Sequence, residues 1–152
     1  MEEDSSMKVL ALRGLFMLLG YALAVLVATS VACVLFGLPT VLPDDGRWGS
    51  FHMYLREFPG MFVIGGMMTG IYGFPGWLIS AVIAERKRFR SRRYFAAAGT
   101  LTALLALLLA GRFQGLFPES SLNLSCLVGG LFGGLAYWAA AGKRSGSWKE
   151  TA

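Results

Sequence analysis

Apolar residues fall into four long runs, and the polar residues are squeezed between them. No Asp, Glu, Lys, Arg or His occurs in residues 14–38, 58–84, 94–111 or 120–142. A helix rises about 1.5 Å per residue, so about 20 apolar residues cross a bilayer's hydrocarbon core. All four runs meet that length. None shows the polar face of a helix packed on a soluble core. The pattern predicts one all-α, polytopic membrane domain over residues 1–152, with spans at 14–38, 58–84, 94–111 and 121–142. The polar start through Met7 is expected to be disordered.

The first connection is more than a linker. In "GLPTVLPDDGRWGSFHMYLREF", Pro43 and two aspartates suit a helix start. Trp48, Phe51, Leu55 and Phe58 then recur at three- and four-residue steps, with Arg47, His52, Arg56 and Glu57 on other faces. This predicts a short amphipathic helix lying on the outer membrane surface. Pro59 would open the second span, where its missing N–H does no harm. In the third connection Pro118, followed by Ser120 or Ser121, predicts a cap for the fourth helix.

Composition agrees: 55% of residues are hydrophobic and 15% charged, against roughly 25% charged in soluble domains. Ser30-Val31-Ala32 has the form of a signal-peptide cleavage site. The acidic start "MEEDSS" and the apolar continuation from Cys33 to Leu38 make an uncleaved anchor the expectation.

Charge then orients the chain. Lys8 and Arg13, the turn residues Arg86, Lys87, Arg88, Arg90, Arg92 and Arg93, and Lys143, Arg144 and Lys149 place eleven cations on one side. Arg47, Arg56 and Arg112 leave three on the other. Basic residues collect in cytoplasmic loops, so both termini and the turn "ERKRFRSRR" are expected in the cytoplasm. The six turn cations read as topology determinants resting on anionic headgroups, worth about 1 kcal/mol each. Nucleic-acid binding is not expected, because a tethered turn of nine residues is too short to track a phosphate backbone.

Inside the spans, small residues recur at four-residue steps. Gly20, Ala24, Ala28 and Ala32 mark the first span, and Gly99 and Ala103 the third. The second carries Gly66 and Gly70 beside Gly65, Thr69 and Gly73, and the fourth also two ladders, Gly129 with Gly133 and Gly130 with Gly134. Such ladders let helices approach closely in lipid. Helices two and four are therefore expected to form the packing core, against each other or against a second chain. Pro75, flanked by Gly73 and Gly76, predicts a kink in the second span.

The chemistry-bearing residues are few. No ionisable residue lies within a span, and such residues mark proton relays and ion paths. One His excludes internal bis-histidine haem ligation, and Cys33 and Cys126 form no CxxC pair. The two cysteines should sit at similar depth, as small apolar residues or as a disulfide. No catalytic, cofactor or metal site is expected, and the chain reads as a non-enzyme.

The stretches "AERKRFRSRRYFAAAG" and "GGLAYWAAAGKRSGSW" resemble a group of small four-span inner-membrane proteins of alphaproteobacteria, over about the last two thirds of the chain. The resemblance implies four spans and a bacterial inner membrane. It carries over no activity and no site residue.

The leading functional expectation is an accessory subunit, assembly factor or regulator, packed as a homo-oligomer or within a larger membrane complex. The alternatives are an oligomeric transporter or channel with a cavity near Pro75, and an immunity-type or lipid-binding membrane protein.

Overall fold

The uncharged runs become helices, which satisfy each segment's backbone N–H and C=O groups internally. A computed structural model describes residues 2–41, 48–114 and 120–145. It contains α1 (Glu2–Val41), α2 (Trp48–Lys87), α3 (Arg92–Gln114) and α4 (Ser120–Ala140), then a 3-10 turn at Gly142–Arg144. No strand occurs among the described residues. Four segments are long and apolar enough to cross a membrane: Ala11–Gly37, Tyr54–Lys87, Arg92–Leu109 and Leu122–Ala140. At 40 residues each, α1 and α2 run about 60 Å, twice the roughly 30 Å hydrocarbon thickness.

Two expectations about helix ends change. The polar start is helical, because Glu2–Met7 forms the first turns of α1. Nor is the stretch from Trp48 to Phe58 set off as its own helix; α2 runs through both Pro59 and Pro75 without an assigned break. Tyr54 explains the continuity. Its hydroxyl donates to Cys33 O at 2.6 Å and its ring lies against Gly37. That anchor holds the first turns of α2 along α1. Leu55, on the stripe read as membrane-facing, is exposed, while Phe58 stacks between Tyr54 and Phe62. The helix start expected at Pro43 and the cap near Pro118 lie outside the described residues.

The helices form a ring in which α1 neighbours α2 and α4, and α3 neighbours α2 and α4. Helices α2 and α4 therefore stand on a diagonal. Their ladders do not meet each other: those of α4 pack on α1 and α3, and Gly65 and Gly73 of α2 lie against Thr29 and Tyr21 of α1.

The sequence "GGLFGG" of α4 explains the ring. Successive residues turn by about 100°, so paired glycines four apart open two adjoining faces. Gly129 and Gly133 face α1: a Cβ there would stand 2.6 Å from Ala28 O and 2.9 Å from Ala24 O. Gly130 and Gly134 face α3: a Cβ on Gly130 would stand 2.7 Å from Gly99 O, and one on Gly134 would strike Phe95 O. One helix thus seats two neighbours at backbone contact, which only glycine allows here.

At the end carrying the basic turn, Ala84, Phe95, Tyr137 and Ala141 form the buried core, with Trp77 and Trp138 against it. The α2–α3 turn closes with Phe89 N–H donating to Ala84 O at 3.0 Å and Arg88 at φ 56°. This is the bond of a Schellman cap, with arginine where glycine is usual.

Candidate ligand cavity

The ring is tight on three sides and loose on the fourth. Along α1 and α2, contacts run the full length: Tyr54 at Cys33, Thr29 at Gly65, Tyr21 at Gly73 and Arg13 at Glu85. Between α2 and α3 the close contacts lie toward the basic end. A Cβ on Gly76 would meet the Thr102 side chain at 3.0 Å, and Tyr94 Oη donates to Ser80 O at 2.9 Å. Farther from the basic end a cavity of about 730 Å³ opens, bounded by all four helices. That volume falls within the roughly 300–1,000 Å³ of ligand pockets.

Residue size explains the void. Val25 and Phe36 of α1 and Leu107 of α3 line it too, but most of these two walls is short: Ala24, Ala28, Ala32 and Thr29 from α1, and Ala98, Thr102, Ala103 and Ala106 from α3. These side chains are too short to meet across the ring. Tyr21 acts as a spacer: its hydroxyl donates to Gly70 O at 2.6 Å and its ring lies 4.5 Å from Trp77. Toward the basic end Trp77, Phe95 and Tyr137 form the floor, with Phe95 and Tyr137 buried. Ile64 and Met68 line the cavity yet are 62% and 40% exposed, so they mark its open edge on α2.

The wall is apolar with a few weak polar groups. Ser80 Oγ is satisfied by Gly76 O at 2.8 Å. Thr29 differs: it is 2% exposed, and its Oγ1 has no hydrogen-bond partner in the bundle. Cys33 and Cys126 are free thiols on this wall. Glu57, at the end away from the basic turn, is the one charged residue lining the cavity among the described residues. Those residues hold no group of three His, Cys, Asp or Glu placed for a metal.

The residues singled out from sequence are scattered by the fold. The four glycines of α4 pack internally, as described. Gly66 approaches only Thr29, with a Cβ 3.9 Å from its Oγ1, and Gly70 faces open space. Pro75 is exposed and does not line the cavity, although Gly73 and Trp77 beside it do. Arg86, Lys87, Arg88, Arg90, Arg92 and Arg93 are all exposed, on the turn far from the cavity's open edge. Arg92 lies 4.5 Å from the Trp138 ring centroid, and Arg90 Nε donates to Ser145 O at 3.2 Å.

Sequence reading missed the Arg13–Glu85 pair. Arg13 Nη2 donates to Glu85 Oε1 at 2.5 Å with both side chains mostly buried. It also missed the polar wall residue Thr29 and the spacers Tyr21 and Tyr54. Tyr21 carried a signal, since a hydroxyl within an apolar run must find a partner; Tyr54, between His52 and Arg56, did not. Comparison with protein-family models, curated proteins and solved structures finds no match for this chain.

Proposed function

We propose that this chain is a non-enzymatic, lipid-binding membrane protein that holds the apolar chain of a lipid or similar amphiphile in the cavity beside α2 and α3. One observation carries the reading: an apolar cavity of ligand size, open at Ile64 and Met68 within the span Tyr54–Lys87. Apolar cavities stay dry, and in a bilayer the abundant apolar solute is the acyl chain. Four apolar helices and the eleven-to-three cation bias support a bacterial inner-membrane location with both termini cytoplasmic. The resemblance to small four-span proteins supports the same placement.

The test is native mass spectrometry of delipidated protein exposed to phosphatidylcholine. Wild type should retain lipid, and Ala106→Phe, which fills the wall, should not. Equal retention by both would defeat the reading.

A second reading, an accessory subunit of a homo-oligomer or larger complex, is favoured by Gly70 of α2. A Cβ at Gly70 would meet nothing within 4 Å, so this position is not consumed by the bundle. Gly70→Leu would then dissolve an oligomer seen by size exclusion.

A further inference from the structure

The basic turn does more than carry charge; the fold gathers part of it around one indole. Trp138 Nε1 donates to Arg90 O at 2.9 Å, so the end of α4 is tied to the α2–α3 turn. Arg92 then lies 4.5 Å, and Lys143 4.6 Å, from the centroid of that indole ring. The two cations come from different segments, the start of α3 and the 3-10 turn after α4. They are held no more than about 9 Å apart by their shared ring. Ser145, which is buried, accepts from Arg90 Nε at 3.2 Å, so a third cation is fixed to the same turn.

Like charges repel, and a dipole or a bound anion between them offsets the repulsion. The ring quadrupole offsets part. A phosphate offsets more, provided that it can reach both cations. Two charge-assisted bonds of about 2.7–2.9 Å plus the width of the phosphate span roughly 8 Å. Both cations are exposed, so a ligand can reach them. Trp138 lies at the last turns of the segment Leu122–Ala140, where an indole marks the headgroup level of a bilayer.

We infer that Arg92 and Lys143, set around Trp138, form a binding site for the phosphate of an anionic phospholipid headgroup. The site rests on the membrane placement proposed above. It is independent of the cavity, which opens away from the basic turn.

The test uses the full chain in neutral detergent, titrated by native mass spectrometry with phosphatidylglycerol and, separately, phosphatidylcholine. Any cavity contribution is shared by the two lipids, so their ratio reports the headgroup site alone. Arg92→Gln with Lys143→Gln should lower the preference for phosphatidylglycerol about 150-fold, or about 12-fold per charge-assisted bond lost. Arg86→Gln with Lys87→Gln removes the same charge away from Trp138 and should lower it far less. The charge-preserving pair Arg92→Lys with Lys143→Arg should keep the wild-type preference, which separates loss of charge from loss of fold. Equal losses in the two Gln pairs would reduce the effect to diffuse attraction and overturn the site. Inorganic phosphate displacing phosphatidylglycerol at equal concentration would also overturn it, by showing a free-anion site.

Discussion

Alanine at Gly134 and at Gly70 should move stability in opposite directions. In a helix interior Gly→Ala gains about 1 kcal/mol from propensity. At Gly70 nothing opposes that gain, because the added methyl would meet no atom within 4 Å. At Gly134 the methyl would strike Phe95 O and also approach the Gly99 Cα at 3.2 Å. Both are backbone atoms of α3 and cannot rotate away. The helices must separate, and overpacking of this kind costs about 1–3 kcal/mol. Because the obstacle is backbone, the upper half of that range applies, leaving a net loss of about 1–2 kcal/mol. The assay is reversible unfolding of the two variants and wild type in mixed micelles, at one detergent composition. Gly134→Ala should unfold earlier than wild type, and Gly70→Ala at the same point or later. A Gly134→Ala variant as stable as wild type would refute the backbone contact between α3 and α4.

Three further outcomes follow from single contacts. Glu85→Gln leaves Arg13 without its carboxylate between two mostly buried side chains, and should cost about 3 kcal/mol; adding Arg13→Gln should recover part of it in a double-mutant cycle. Thr29→Val removes a buried hydroxyl that has no partner and keeps its shape, so ligand-free protein should gain about 1 kcal/mol; a loss of that size would mean the hydroxyl is satisfied. Arg88→Gly should raise the thermal midpoint, since a non-glycine residue at φ 56° gives up about 1–2 kcal/mol.

What could be read from the chain was governed by distance along it. The four helices were legible because each falls on an uncharged apolar run of about 20 residues or more, long enough to cross a bilayer. The glycines of α4 were legible as packing residues but not in their partners. A four-residue ladder shows that a neighbour comes close without saying which one. "GGLFGG" serves α1 and α3 at once, which left α2 on the diagonal, its Gly65 and Gly73 against α1 and its Gly70 in open space. Arg13 and Glu85 are 72 positions apart, and each alone reads as one more charge near a helix end. The cap at Arg88 lacked its usual glycine. The cavity had no local signature at all, because it arises from short side chains on α1 and α3 that face one another only once the ring closes.

If an apolar chain occupies the cavity, Trp77 on its floor should sense it. In full-length protein with Trp48, Trp138 and Trp148 replaced by Phe, Trp77 fluorescence is titrated with phosphatidylcholine brominated on its acyl chains. A bound chain should give quenching that saturates at low mole fraction, and Ala106→Phe should abolish the saturable part. Quenching that rises in proportion to bulk bromolipid, alike in both proteins, would contradict the claim.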